Sequence, residues 1–314
     1  MQIPDHKLGL ALLAAVVIVA GCTDNSQNES VTVSQTSGVE IMSYTASPSS
    51  LSGGQPATLQ MNIKNRGGVD AKNVQAHLTD PEFGSDSGLW SVEGGGAWKD
   101  GFETLRGPNT DSGQDALTRT LQWTVTAPNR DNQIDIDYDF DAKLFYRYNT
   151  EAATQMTLVN TNSVEDRPTR STPSIQNTGG PIQLGIQASS PILFTESSGG
   201  SSISRPFCIT MQNQGAGTPF LYEDSKINGT AYRGVNDDIT NMINLSISTS
   251  SSYIEFEDNN IQKELVGNPP STCVDMNADY VSTGEGSTTA QITIKADYGY
   301  RMQDTTSINL AKGP

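Results

Sequence analysis

The apolar positions alternate with polar ones along most of the chain. Leu59-Gln-Met-Asn-Ile63-Lys and Ile134-Asp-Ile-Asp-Tyr-Asp-Phe140-Asp show the period of two that places one set of side chains on a buried sheet face and the other in water. No stretch after residue 22 keeps a helical period, so the pattern predicts a β-rich chain. One segment stands apart. Leu8 to Ala20 (LGLALLAAVVIVA) is an uncharged apolar run, and as a helix it would rise only about 20 Å against a hydrocarbon core of roughly 30 Å. It is therefore expected to be a signal-peptide core and not a membrane span.

The alternating pattern is also duplicated. Leu59-Gln-Met-Asn-Ile-Lys-Asn65-Arg-Gly67 aligns with Phe207-Cys-Ile-Thr-Met-Gln-Asn213-Gln-Gly215, sharing an apolar face and an Asn-x-Gly ending. Further on, Phe140 to Tyr148 with Met156-Thr-Leu158 aligns with Ile292 to Tyr300 with Ile308-Asn-Leu310, both carrying Tyr-x-Tyr. Two matches in the same order predict one module used twice. Between the copies, Ser163 to Gly180 (SVEDRPTRSTPSIQNTGG) is rich in Pro, Ser, Thr and Gly and reads as a linker. Each copy has the size of one sandwich of two sheets. The expected organisation is a leader at 1–22, a flexible tether at 23–38, a β-sandwich at 39–162, a linker at 163–180 and a second β-sandwich at 181–312.

Val19-Ala-Gly-Cys22 at the end of the apolar run resembles the lipobox of prokaryotic lipoproteins. That resemblance implies that Cys22 becomes the lipidated first residue, held in the cell membrane by acyl chains. An incidental thiol closing an ordinary secretory signal is the alternative reading, and Lys7-Leu8-Gly9 loosely resembles a pilin-type cleavage site. Thr23 to Gly38 is too polar to repay its own ordering, and at about 3.3 Å per residue it would reach roughly 50 Å from the membrane.

The pattern Ala46-Ser-Pro48, Gly53-Gly54, Leu59-x-Met61-x-Ile63-x-Asn65-x-Gly67, Ala71-x-x-Val74 resembles the CARDB-like and allied immunoglobulin-like repeats of prokaryotic, especially archaeal, surface proteins. The second copy keeps Ser189-Ser-Pro191 and Gly199-Gly200 but lacks the Ala-x-x-Val continuation. The resemblance implies an all-β fold of two tandem immunoglobulin-like sandwiches, acting as spacer, adhesin or assembly part on the outer face of the cell. It carries over no catalytic residue.

Charge and composition narrow the function. With 35 acidic against 19 basic residues the net charge is −16, and the cations are scattered singly. That excludes the usual nucleic-acid binder, which clusters Lys and Arg on phosphate. Of two histidines, His6 lies in the leader, leaving His77 as the only ring for acid–base or metal work. No Gly-x-Ser-x-Gly, phosphate loop or His-Glu-x-x-His occurs, so neither an enzyme nor a cofactor is expected. The acidic excess and the Asp135, Asp137, Asp139, Asp141 stripe read as a solvated face suited to high salt. Calcium is the rival reading of that stripe, disfavoured by the nearly 7 Å spacing of same-face neighbours.

Several side chains remain as candidates. Cys208 and Cys273 form an even pair in a secreted setting and predict a disulfide. Its bond should lie on the outer sheet face, pin the 269–273 loop and stabilise the second module by about 4 kcal/mol. Asn28, Asn228 and Asn244 match the N-glycosylation sequon. The acidic clusters 223–224, 236–238 and 257–260 read as turn caps or cation ligands. Trp90 and Trp98, in a Gly-rich insertion at 84–115 present only in the first copy, are expected either to pack on their own sandwich or to anchor a partner or sugar ring. The expected function is a lipid-anchored, non-catalytic structural or adhesion protein whose partners are the membrane, other surface proteins or itself, and glycans. The alternative is an accessory binding module for a glycan, a cation or a larger envelope or filament complex.

Overall fold

The computed structural model describes residues 31–312, apart from 85, 87, 95, 130–133, 162–167, 195–201, 227–229 and 280–285. The expectations placed on Cys22, Asn28 and the leader lie outside the described residues, as does Asn228. The first half contributes β1 (Val39–Ser47), β2 (Ser50–Leu51), β3 (Pro56–Asn65), β4 (Ala71–Leu78), β5 (Ser91–Val92), β6 (Trp98–Leu105), β7 (Arg119–Thr126) and β8 (Ile136–Asn160). The second contributes β9 (Ile175–Asn177), β10 (Ile182–Gln187), β11 (Ile192–Phe194), β12 (Ile203–Asn213), β13 (Thr218–Phe220), β14 (Met242–Thr249), β15 (Ile254–Phe256), β16 (Asn260–Glu264), β17 (Ser271–Ala278) and β18 (Ser287–Leu310). Among the described residues there is no α-helix, only a 3-10 turn at Glu223–Ser225. The fold is all-β.

Each half has its own four-stranded sheet, ordered β1-β3-β7-β5 in the first and β10-β12-β17-β15 in the second. Both lie against one ten-stranded sheet whose main path is β16-β14-β18-β8-β4-β6. Its centre is the antiparallel pairing of β18, 24 residues, with β8, 25 residues, in unbroken register from Ser287↔Val159 to Leu310↔Ile136. At about 3.3 Å per residue the ladder is about 80 Å long. The beginning of β8 pairs with β4 and its end with β9 and β11, while the beginning of β18 pairs with β14 and its end with β2. Each long strand thus serves the first half with one end and the second half with the other. The buried apolar residues of both halves form one continuous core, from Leu59, Trp123 and Phe140 through to Phe207, Ile209 and Ile294.

The sequence repeat is visible in its hydrogen bonds. Asn65 donates to the Val69 and Leu105 carbonyls, at 2.8 and 2.9 Å, and accepts from Gly67 N–H at 3.1 Å. Asn213 donates to Gly217 O at 2.8 Å and accepts from Gly215 N–H at 3.2 Å. The Asn side chain therefore closes the turn in both copies. The second tyrosine of each Tyr-x-Tyr then takes up that turn: Tyr148 Oη accepts from Val69 N–H and Tyr300 Oη from Gly217 N–H. A Cβ at Gly67 would collide with Tyr148 Oη, and one at Gly215 with Tyr300 Oη, which is why both turns need glycine. Ser47–Pro48 and Ser190–Pro191, also equivalent, are both cis.

Two segments expected to be extended connectors are stitched into the body. In the 163–180 segment, Gln176 pairs with Ala153 in β8, Thr178 N–H donates to Glu151 O, and Thr154 Oγ1 donates to Ser174 O. Because β8 runs on into the second half, its far edge presents unpaired backbone groups, and these residues satisfy them. Residues 31–38 of the expected tether are likewise held, through Ser34 N–H to Arg66 O and Gly180 N–H to Gln35 O.

Cys208 and Cys273 are joined in a disulfide across directly opposed positions of β12 and β17. Both lie on the outer face, alternate with buried Phe207, Ile209 and Val274. Cys273 sits within β17 and not in the loop before it, so the bond ties two strands together.

The difference in burial of the two turn asparagines yields a test. Asn65 is fully buried, whereas Asn213 is exposed, so water can replace the partners of the latter only. Asn65→Ala is expected to cost about 2–3 kcal/mol of unfolding free energy and Asn213→Ala below about 1 kcal/mol. Urea titration of the two variants against the parent measures this, and equal losses would contradict it.

Candidate functional site

The outer face of the long sheet is mostly solvated, but its middle is covered. β4 turns His77 outward, β6 supplies Trp98 and β8 supplies Phe145 and Arg147. The excursion between β13 and β14 crosses this face from the second half and lays Tyr222, Tyr232 and Arg233 on it. The result is a run of rings. His77 and Trp98 stack at 4.2 Å, Trp98 and Phe145 at 5.5 Å, Phe145 and Tyr232 at 5.4 Å, with Tyr222 edge-on to Tyr232 at 5.8 Å. Guanidinium groups close the run at both ends, Arg233 3.8 Å from the Trp98 ring centroid and Arg147 4.8 Å from that of Tyr222.

Polar contacts fix the excursion in place. Tyr232 Oη donates to Asn73 O at 2.6 Å, and Asn73 Nδ2 to Tyr222 Oη at 2.5 Å. Asn73 holds a positive φ of 51°, which turns its carbonyl toward Tyr232. Arg147 makes a bidentate pair with Asp297, at 3.2 and 2.9 Å, and Glu223 lies 3.8 Å from it. The Asp297 hydrogen bond, ahead of the Coulomb attraction of Asp297 and Glu223, raises the Arg147 pKa. Burial pushes the Tyr232 hydroxyl well above its ordinary value, so it stays a neutral donor.

His77 is the one titrating group of the run near neutral pH. Burial, and then the charges of Arg233 and Lys143, lower its pKa to about 4. It packs as a neutral ring. Stacked on Trp98 and disfavoured as a cation by the charges of Arg233 and Lys143, this imidazole is badly placed to accept a proton as a general base.

The other sequence candidates scatter. Of the two roles open to Trp90, packing on its own sandwich is the one found: it is 1% exposed and meets Phe140 at 4.8 Å and Tyr138 at 5.4 Å, both edge-on. The insertion that carries it pairs β5 with β7 and packs on the first sandwich, burying its largest side chain. Trp98 is half-buried, its ring already taken by His77, Phe145 and Arg233, so it clamps the excursion and offers no free face to a partner. Asn244 lies mid-strand in β14, opposite Gln262 on one side and Asp297 on the other, half-buried and away from the loops where glycan acceptors usually sit.

The acidic stripe is tied down across the long ladder. Thr305 Oγ1 and Gln303 Nε2 donate to Asp141, Asn309 Nδ2 to Asp137 and Lys312 N–H to Asp135. Asn236 caps its own turn, accepting from Asp238 and Ile239 N–H. Among the described residues no three of His, Cys, Asp and Glu come together as metal ligands. A groove of about 680 Å³ beside β6 and β7 carries Asp70, Asp111 and Asp115 with Arg106 and Arg119. There Lys64 contacts Asp115 at 2.5 Å, and that hydrogen bond lowers the Asp115 pKa.

The sequence reading missed the aromatic run. Its members come from four separated stretches, and of them only His77 and Trp98 stand out in the sequence, neither as part of a cluster. A signal existed in the Tyr-rich composition of 220–232, inside a stretch otherwise typical of a loop.

The lowered His77 pKa has a definite sign. Below about pH 6.5 the unfolded chain binds a proton that the folded chain refuses until about pH 4, so stability falls as pH drops through that window. In His77→Phe this contribution is gone. Melting temperatures measured from pH 7 to 4 should fall more steeply for the parent than for the variant, and parallel slopes would refute the assignment.

No protein-family model matches the sequence, and no curated protein matches it. Among solved structures the chain is similar to the collagen adhesin (CNA) from S. aureus, at 9% identity over 89% of this chain and 95% of that one, with a TM-score of 0.14. A likeness that slight carries no argument about fold or function.

Proposed function

We propose that this chain is a non-catalytic structural or adhesion protein of the cell surface, anchored by lipid at Cys22 and presenting its two β-sandwiches outward as one stiff body. The observation that carries the reading is the β8–β18 ladder. A molecule whose halves share their central strands has no hinge between them, and stiffness is what a spacer or presenting part needs. The aromatic clamp adds to it by fastening an excursion of the second half to strands of the first. The non-catalytic reading is supported by the sole described imidazole, His77, which is stacked on Trp98 and has its pKa lowered to about 4 by burial and by the charges of Arg233 and Lys143.

The anchor is tested on cells. In the parent, the chain should fractionate with membranes and take up a labelled fatty acid. Cys22→Ser should release folded protein to the medium with no label, and label persisting in that variant would refute lipid attachment at Cys22.

The reading includes adaptation to concentrated salt, supported by the net charge of −16 and the carboxylate stripe of β8. Screening of that self-repulsion predicts a melting temperature that rises from 0.1 to about 2 M KCl. A flat or falling profile would count against it.

A further inference from the structure

We propose that the open end of the second sandwich binds an acidic saccharide through Arg170 and Arg205. This goes beyond the surface-protein reading and does not depend on the lipid anchor. A groove of about 450 Å³ opens there, lined by Arg170, Thr172, Gln187, Ser189, Pro191 and Arg205, with Ile192 and Met276 among the residues at its floor. That volume falls in the usual range of about 300–1,000 Å³ for small-molecule pockets.

Arg205 occupies an unusual place. By the period of two it belongs to the inward set of β12 with Phe207, Ile209 and Met211, and its register partner in β17 is the buried Met276. At this position Arg205 is nevertheless exposed, and it lines the groove. Arg170 reaches the same groove from the other side. Its neighbour Ser171 exchanges two backbone hydrogen bonds with Ser190, at 2.8 and 2.9 Å, which fixes where Arg170 leaves the sheet.

The charge balance of this groove is the reverse of the molecule's. Among the described residues its lining has two guanidinium groups and no carboxylate, on a chain of net charge −16. Among the described residues neither arginine takes part in an ion pair, whereas Lys64, Arg66, Lys72, Arg147, Lys226 and Lys295 all do. The larger groove of the first half shows the contrast, since its two arginines share the space with three aspartates.

Two guanidinium forks fit a carboxylate or sulfate bidentately. The rest of the lining argues for the group's being carried on a sugar. Thr172, Gln187 and Ser189 supply neutral donors and acceptors for hydroxyls, and Pro191 and Pro206 give a flat apolar surface for the C–H face of a ring. The overall negative field opposes a long polyanion, so recognition is confined to the one or two rings that the groove holds.

The test is calorimetric titration of the full chain with a tetrasaccharide of alternating glucuronate and N-acetylglucosamine, beside the same tetrasaccharide with its carboxyls reduced. Binding of the acidic form, weakened about tenfold or more in the reduced form, is expected. Arg170→Gln and Arg205→Gln should each weaken it about tenfold and the double variant should abolish it, while Arg106→Gln in the other groove leaves it unchanged. Both arginines are exposed, so the variants should keep the parent's melting temperature, which is checked alongside. No binding by the parent, equal binding of the reduced sugar, or binding that survives the double variant would overturn the proposal. Hexaglutamate binding as tightly as the acidic sugar would overturn the assignment to a saccharide. These outcomes are independent of whether Cys22 is lipidated.

Discussion

Everything in this molecule depends on one antiparallel pairing. β8 and β18 run side by side for 24 residues, and neither sandwich has a complete second sheet without both. At the midpoint, Tyr146 faces Tyr300 and Tyr148 faces Tyr298, with ring centroids 5.6 and 6.3 Å apart. All four rings are buried. Three hydroxyls find partners: Tyr298 with Thr150, Tyr148 with Gly179 O and Val69 N–H, and Tyr300 with Asn213 and Gly217 N–H. Burial is the largest cause raising each hydroxyl's pKa, that of Tyr300 up to about 12. A buried cluster of neutral rings, three of them hydrogen-bonded, gives the ladder a single register, because a slip of one residue would turn the two tyrosines of the slipped strand to the outer face.

The duplicated halves are related about this midpoint, and the relation breaks where it must. The register places Arg147 opposite Gly299, the positions that the sequence repeat makes equivalent. Two large side chains on neighbouring strands at one spot would crowd whatever covers them. Here Phe220 lies over Gly299, where a Cβ would collide with its ring, and Arg147 spreads sideways to Asp297 and Tyr222. The asymmetry lets the excursion of the second half lie flat on the sheet. A duplicated sequence has thus become a single body with one covered face.

How much of this was legible beforehand follows from the range of each interaction. The all-β class and the outer-face position of Cys208 are set by the period of two, and the alternating pattern carries them. The exchange of strand ends is set by what lies beyond each half. Nothing in Phe140 to Leu158 marks where one partner strand stops and the next begins, so two separate sandwiches and a linker were the natural reading. Trp90 illustrates the same limit, because its Gly-rich context leaves packing and partner contact both open while its actual setting is decided by Tyr138 and Phe140, some fifty residues later. Arg170 and Arg205 line one groove, beside a pairing of 171 with 190 that no composition reveals.

The sharing of β18 also bears on how such a chain folds as it is made. β18 follows every other strand among the described residues, yet the first sandwich borrows its end, with Asn309 N–H bonded to Ser49 O and Leu310 opposite Ile136. A chain emerging from its N-terminus therefore holds one long edge of β8 unpaired until residue 310 is available. Such an edge is a template for pairing with other chains. The carboxylates of Asp137, Asp139 and Asp141 lie along that edge, and while the native partner is still absent, their mutual repulsion guards it against joining a second copy.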